Sequence, residues 1–296
     1  RKENREVHKF LRAIGFSDIT KKDLEMILDE VITRPEIMKI TKDSEGNEFA
    51  ELSGSFAANA GITVRGTYQE DDSFHMDYYY PYVFGTSITT NEQIDVEKHA
   101  EKESYAGVCD EVNLGVTLIF YIQNVADYLA ETNRHLSKIH YGAMLAGLST
   151  EGKILCPVVE RKKNDVPAIQ KNDRHNQLIA QAREGDEDAI ESLTLEDMDT
   201  YALLSQRVMK EDIFSIVKST FMPFGIESDQ YTVLGEIIDC VTMENKLTHE
   251  KLYGMKLLCN NIQFDVCINE KDLLGEPAIG RRFRGNVWMQ GNLCLE

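Results

Sequence analysis

The sequence predicts an α+β fold: an N-terminal mixed α/β meander domain, a helical middle section, and a C-terminal small antiparallel β sheet or barrel. Three changes of pattern predict it. Apolar residues recur with a period of two in the first half, with a period near 3.6 after residue 173, and with a period of two again from Tyr231. We place the boundaries at 1–165, 166–225 and 226–296, since residues 160–177 are polar with charges of both signs.

Composition limits the possible classes of protein. The chain of 296 residues is 42% hydrophobic and 28% charged, which is typical of a folded globular protein. A formal net charge of -18 would repel a phosphate backbone, so we expect no binding to nucleic acid. The longest apolar run, Val116 to Ile122, is far shorter than the roughly 20 residues of a membrane-spanning helix, and the N-terminus lacks the apolar core of a secretory signal. We therefore expect a cytoplasmic protein without membrane contact.

The cysteines are expected to be buried free thiols of a reducing compartment. No two form a CxxC pair, and most lie in apolar stretches. Neither they nor the seven histidines show the spacing of zinc ligands, so we expect no metal and no cofactor. The six are Cys109, Cys156, Cys240, Cys259, Cys267 and Cys294.

The first half begins with a helix and three strands. Asp18 or Thr20 can cap the helix "KKDLEMILDEVI", and "FAELSGSFA", "ITVRGTY" and "FHMDYYYPYVF" alternate as strands do. A loop at Glu70–Asp72 would pair the last two strands. The predicted pairs are Tyr68 with Phe74, Thr67 with His75, Gly66 with Met76, Arg65 with Asp77, Val64 with Tyr78 and Ile62 with Tyr80.

Further elements follow from the same reasoning. "VNLGVTLIFYIQN" predicts a central strand, and Asn124 is the predicted N-cap of the helix "VADYLAETNRHL". "YGAMLAGLSTEGKILCPVV" predicts a hairpin that turns at Ser-Thr-Glu-Gly. Helices are expected near 173–184, near 187–193, and from Thr194 to the "FMPFG" segment.

A C-terminal hairpin turns at Asn260 and Asn261, which tolerate positive φ. The predicted pairs are Cys259 with Ile262, Leu257 with Phe264, Lys256 with Asp265, Met255 with Val266 and Tyr253 with Ile268.

Two segments resemble catalytic motifs without meeting their chemistry. Gly147 to Lys153 has the spacing of a phosphate-binding loop, but Ile154 stands where a magnesium-ligating Ser or Thr is needed. Cys109 precedes two carboxylates, which would raise rather than lower the pKa of a nucleophilic thiol. His75 and Asp77 form an H-x-D pair. Because Asp77 is predicted to pair with Arg65, a structural role is favoured for this pair. Most tyrosines of "YYYPY" are expected to pack in the core.

The C-terminal strand carries the candidate binding residues. If Phe283 to Leu295 is one strand, its odd positions face a core and its even positions can all donate hydrogen bonds. Arginine forks and a tryptophan platform suit an anionic or planar ligand or an acidic protein surface. The alternative is that this face docks on the chain's own carboxylates or on a second subunit. The candidate residues are Arg282, Arg284, Trp288 and Gln290.

Long segments of the chain, including "HKFLRAIGF", "EDIFSIVKSTFMPFGIESDQYTVLGEI" and "NEKDLLGEPAIGRRFRGNVWMQG", resemble a bacterial family, mostly from clostridia, classified as a domain of unknown function. The resemblance covers His8 to Leu295. It implies a cytoplasmic bacterial protein and assigns no catalytic or binding residue.

Three functional hypotheses follow. The first is a non-catalytic module that binds a small ligand or another protein. The second is an enzyme without a recognisable motif, which would act on a small anionic metabolite between the N-terminal and C-terminal modules and use carboxylates such as Asp77 or Asp110. The third is a structural subunit of a homo-oligomer.

Overall fold

The part of the chain that the structure describes is mainly β, and the α+β prediction is wrong. The computed structural model describes residues 7–98, 103–133, 142–158, 178, 181, 186, 188–194 and 217–295. Strands make up 52% of these residues and helices 17%. The strands form a four-stranded sheet and a ten-stranded sheet, and part of the larger sheet closes into a five-stranded barrel.

The described helices and strands have the following bounds. The helices are α1 (Lys21–Thr33), α2 (Val125–Asn133), the 3-10 helices Lys9–Ile14 and Glu270–Asp272, and a helical stretch at 188–194. The strands are β1 (Ile37–Lys42), β2 (Glu48–Ala57), β3 (Ala60–Tyr68), β4 (Phe74–Val83), β5 (Asp95–Lys98), β6 (Tyr105–Glu111), β7 (Val116–Ile122), β8 (Gly142–Leu155), β9 (Thr220–Pro223), β10 (Gln230–Glu244), β11 (Lys251–Cys259), β12 (Ile262–Asn269), β13 (Leu273–Leu274) and β14 (Arg282–Cys294).

Helix α1 covers one face of the four-stranded sheet β1-β2-β3-β4, as its pattern predicts. Thr20 is the N-cap, and its hydroxyl accepts a hydrogen bond from the amide of Asp23. Leu24, Leu28 and Val31 are buried. Gly54 of β2 makes room for the helix, because a Cβ there would lie 2.8 Å from Val31 Cγ2.

The predicted register of β3 and β4 is confirmed at one end and wrong at the other. Tyr68 pairs with Phe74 and Gly66 with Met76, but Arg65 pairs with Tyr78 and not with Asp77. A β-bulge adds one residue to β4 at this point. Because side chains alternate between faces, the extra residue turns Tyr78 and Tyr80 toward the face that carries Arg65.

The barrel closes through β8, which pairs with β12 in parallel and with β14 in antiparallel orientation. The ring runs β8-β12-β11-β10-β14 and back to β8, and β7, β6 and β5 extend the sheet outward from β14. The predicted hairpin at Ser-Thr-Glu-Gly is wrong, since residues 142–155 form one strand. β14 pairs along all of it, and a bulge near Thr150 absorbs the turn-like residues. Gly147 to Lys153 therefore lies within a strand, whereas a phosphate-binding loop leads into the N-terminus of a helix.

The C-terminal hairpin has the predicted register, with Cys259 opposite Ile262 and Leu257 opposite Phe264. Asn260 and Asn261 have φ of 47° and 67°, as a two-residue turn of this kind requires.

The predicted long helix is wrong at its end. Residues 220–223 form β9, which pairs with β10. Phe221 points into the core while its two neighbours are more exposed. Burial therefore alternates from residue to residue, as it does in a strand. Within 188–194 the described residues are helical, and Asp186 accepts a hydrogen bond from the amide of Ala189 at the start of this stretch. The rest of the predicted helical section lies outside the described residues.

Two apolar cores hold the sheets together. One fills the barrel and continues under β6, β7 and α2, and it includes Phe283, Val287 and Met289 of β14 as predicted. The other lies between the four-stranded sheet, helix α1, the 3-10 helix Lys9–Ile14 and the outer wall of the barrel. The odd positions of β14 therefore face the barrel interior, and its even positions face outward.

Candidate functional site

The outward face of β14 is covered at one end by the protein's own N-terminal segment. Trp288 is 7% exposed. Its ring stacks on Phe10 at 5.3 Å between centroids and lies 5.1 Å from the ring of His8. The indole nitrogen donates a 2.7 Å hydrogen bond to Asp229. Trp288 thus anchors the 3-10 helix Lys9–Ile14 on the barrel and presents no platform to solvent.

Gln290 is fully buried beside the four-stranded sheet. Its amide nitrogen donates to the carbonyl of Pro81, and its carbonyl oxygen accepts from the amide of Val83 and from the side chain of Gln123. The Gln123 side chain also donates to the carbonyl of Val83. This amide pair joins β14, β4 and the end of β7 and satisfies the Gln290 side chain, whereas Oε1 of Gln123 is buried without a hydrogen-bond partner among the described residues.

Arg282 holds two chain segments together. It is 5% exposed, and it donates hydrogen bonds to the carbonyl oxygens of Cys156 at 2.9 Å and Val217 at 2.6 Å. Burial lowers the pKa of its guanidinium from the ordinary value. Both contacts are to main-chain atoms of the same chain.

Arg284 is the candidate that lines a cavity. The cavity measures about 360 Å³ on the outer wall of the barrel, and we call it the barrel trough. Its lining residues are Glu151, Gly152, Lys153, Phe224, Thr232, Leu274, Arg284, Gly285 and Asn286. Its size falls in the range of natural small-molecule sites.

The strand pairing of β8 with β14 determines the floor of the trough. Arg284 lies directly opposite Lys153, and Asn286 lies directly opposite Glu151. Between these outward pairs, Gly152 faces Gly285 on the inward side. A Cβ at Gly152 would lie 2.4 Å from the Phe283 ring, so two facing glycines let this ring fill the barrel beneath the trough.

Hydrogen bonds fix the acidic end of the floor. The Thr232 hydroxyl donates to Asn286 Oδ1 at 2.6 Å. This bond orients the Asn286 amide nitrogen, which donates to Glu151 Oε1. The Ser149 hydroxyl donates to the main-chain carbonyl of Asn286 at 2.8 Å. The positions of Glu151 and Asn286 are therefore set by three neighbouring strands, β8, β10 and β14.

Exposed apolar side chains flank the trough. Phe224, which follows β9, is 43% exposed, and Leu274 of β13 is 73% exposed. Leu274 pairs with Lys153 in register, so an apolar wall stands beside the cations. Cationic groups on the floor and apolar groups at the sides suit an anion with an apolar part.

The other candidate residues lie apart from the trough. His75 Nε2 and Asp77 Oδ1 are 4.0 Å apart, and the His75 side chain is largely exposed. Asp110 accepts a hydrogen bond from Thr117 on the neighbouring strand. Burial and the nearby Glu111 raise the pKa of Cys109 to about 11, which opposes its use as a nucleophile. The prediction for the tyrosines is confirmed at Tyr80 and Tyr82, which are buried.

Buried thiols are confirmed in part. All six cysteines are free, and Cys109, Cys259 and Cys267 are buried. Cys156 is exposed instead, where β8 has ended.

The sequence analysis did not identify Glu151, Lys153, Phe224 and Leu274. A single-strand interpretation of residues 142–155 would have placed Glu151 and Lys153 on one face, next to the even positions of β14. Phe224 and Leu274 had no comparable signal, because they reach the trough only through closure of the barrel.

A buried ion pair was also missed. Arg65 is completely buried, and its Nε donates to Glu51 Oε1 at 2.7 Å. The remaining donors of Arg65 bind three tyrosine hydroxyls and two carbonyl oxygens. These acceptors are the hydroxyls of Tyr78, Tyr80 and Tyr121 and the carbonyls of Ile122 and Gln123. Its full set of partners is typical of a structural arginine.

The part of the chain that the structure describes contains no group of three or more histidine, cysteine or acidic residues placed to hold a metal ion. The helices among the described residues are also too short or too polar to cross a membrane.

Comparison with curated proteins and with solved structures finds no match. A family comparison does find one, and it confirms the resemblance inferred from the sequence. The chain belongs to the family described as a domain of unknown function named from an E. rectale gene description (DUF3881), which matches residues 11–291.

Proposed function

We propose that this protein is a non-catalytic binding protein for a small organic anion, and that the barrel trough is its binding site. The observation that carries the proposal is the pairing of Arg284 with Lys153 on adjacent strands inside a cavity of about 360 Å³. Phe224 and Leu274 at the sides would contact the apolar part of the ligand.

The electrostatics of the pair support binding of an anion. Arg284 and Lys153 place two positively charged side chains on directly opposite residues of the strand pair, and both attract a carboxylate or phosphate of a ligand. An arginine offers a planar fork of donors to such a group, and a lysine adds a mobile point charge. In a chain with a net charge of -18, paired cations on one wall also define where an anion can approach.

Binding is better supported than catalysis. The carboxylates considered for proton transfer, Asp77 and Asp110, do not line the trough, and Oε1 of Glu151, a carboxylate that does line it, accepts a hydrogen bond from Asn286. A general base must reach its proton directly or through one water molecule.

We also propose a cytoplasmic location. The exposed thiol of Cys156 supports it, because a free exposed thiol suits a reducing compartment.

Titration calorimetry with 3-phenylpropanoate, octanoate and phenyl phosphate tests the proposal. We expect at least one of these anions to bind, and Arg284→Gln to weaken binding by about tenfold, the value of a lost charge-assisted hydrogen bond. Lys153→Gln should act in the same direction. Lys22→Gln, on the exposed face of α1, removes the same charge outside the trough and should leave the affinity unchanged. Failure of all three anions to bind, or equal effects of Arg284→Gln and Lys22→Gln, would reject the site.

A further inference from the structure

We infer that the ligand of the barrel trough carries an ammonium group beside its anionic group, and that it is an amino acid with an apolar side chain. This inference rests on the proposed function and adds the ligand class. It follows from the position of Glu151 inside the same cavity as Arg284 and Lys153.

The floor of the trough has two rows of side chains. Arg284 and Lys153 form the cationic row, and Glu151 and Asn286 form the acidic row. Glu151 and Lys153 are two residues apart on the same face of β8, so their main chains are separated by roughly 7 Å along the strand. On β14 the same step separates Asn286 from Arg284. Long side chains from both rows can reach one small ligand between them, the carboxylate at one row and the ammonium at the other.

Glu151 is oriented to accept a hydrogen bond from such a ligand. Asn286 engages Oε1 and is itself held by Thr232. An ionised carboxylate has about four acceptor positions, so Oε2 can accept from an ammonium group while Oε1 stays with Asn286. The Glu151 carboxylate is therefore held in place by a neutral partner, Asn286.

The flanking side chains indicate a third feature of the ligand, an apolar side chain. Phe224 and Leu274 are apolar and exposed, and Leu274 lies next to Lys153. A hydrocarbon side chain between them would remove apolar surface of both partners from water. The three features together are the carboxylate, the ammonium and the apolar side chain of an amino acid such as leucine or phenylalanine.

Calorimetry of the whole chain with three matched compounds tests the inference. L-Phenylalanine has both charged groups, 3-phenylpropanoate lacks the ammonium, and phenethylamine lacks the carboxylate. We expect phenylalanine, or leucine against 4-methylpentanoate, to bind about tenfold more tightly than the acid without the ammonium. Glu151→Gln keeps an acceptor for Asn286 and should remove this preference without weakening binding of 3-phenylpropanoate. Glu25→Gln, on α1, is the charge-matched control.

The outcomes separate the inference from the proposed function. Equal affinity for phenylalanine and 3-phenylpropanoate, or a preference that survives in Glu151→Gln, overturns the ammonium site and leaves anion binding standing. Phenethylamine binding as tightly as phenylalanine overturns both, and so does the failure of all these compounds, octanoate and phenyl phosphate to bind. If only octanoate or phenyl phosphate binds, the ammonium site is overturned and anion binding stands.

Discussion

Glu51 binds Arg65 with one carboxylate oxygen and the first turn of helix α2 with the other. Oε1 accepts from Arg65, and Oε2 accepts from the amide of Ala126 at 3.1 Å. A helix N-terminus favours a negative charge, so the same carboxylate is stabilised by a guanidinium and by a helix end. Because Arg65 also binds Tyr121 and the carbonyl of Gln123, this contact joins the four-stranded sheet to the β7 and α2 region.

We expect Arg65→Met to lower the free energy of unfolding by about 3–5 kcal/mol, because it leaves the Glu51 carboxylate buried without its ionic partner. Urea denaturation at neutral pH measures the change. Arg34→Met, at the exposed end of α1, should change stability by less than about 0.5 kcal/mol. The double variant Arg65→Met with Glu51→Leu should recover part of the loss, since replacing both members of a buried pair by apolar groups is often tolerated. A loss below about 1 kcal/mol in Arg65→Met would contradict the structural role of the pair.

The two halves of the outward face of β14 should respond differently to truncation. Trp288→Ala should lower the free energy of unfolding by about 3–5 kcal/mol, because it empties the space between Phe10, His8 and Tyr121. Arg284→Ala should lower it by less than about 1 kcal/mol, since this side chain is partly exposed. Thermal unfolding of both variants measures the difference. Similar losses in the two variants would mean that Arg284 belongs to an internal interface, which would also weaken the proposed function.

Local patterns predicted the elements whose partners are near in sequence. The hairpin at Asn260 and Asn261 was predicted in full because its turn and both faces lie within twenty residues. Segment 142–155 was misinterpreted because its turn-like residues favour a hairpin locally, whereas the strand that pairs with it begins at Arg282. The bulge in β4 also depends on packing rather than pattern, as Tyr78 and Tyr80 gain contact with Arg65 by it.

The candidate site was predictable only in part, for the same reason. The alternation of β14 placed Arg284 and Asn286 on one face, and both line the trough. The same alternation cannot distinguish them from Trp288 and Gln290, which are covered by segments more than 150 residues away in sequence. Trp288 and Gln290 contact residues of the same chain. This agrees with the alternative stated for this face, that it docks on the protein itself.

The stability of the protein should fall as the pH is lowered from about 6.5 to about 4, because His8 is neutral in the folded state. Burial beside Trp288, Phe10 and Tyr79, together with the charge of Lys9, lowers the pKa of His8 to about 4. The unfolded chain takes up the proton near 6.5, so it binds more protons than the folded state throughout this interval.

Urea denaturation at about pH 7, 6 and 5 measures the slope, which for one group is at most about 1.4 kcal/mol per pH unit. The measurements stay above about pH 4.5 because Asp43, Glu103 and Glu250 have lowered pKa values and lose their contribution only in more acidic solution. His8→Asn keeps an acceptor for the amide of Phe10 and removes the titrating ring, so its stability should be nearly independent of pH over the same interval. An unchanged slope in His8→Asn would show that another group is responsible for the pH dependence.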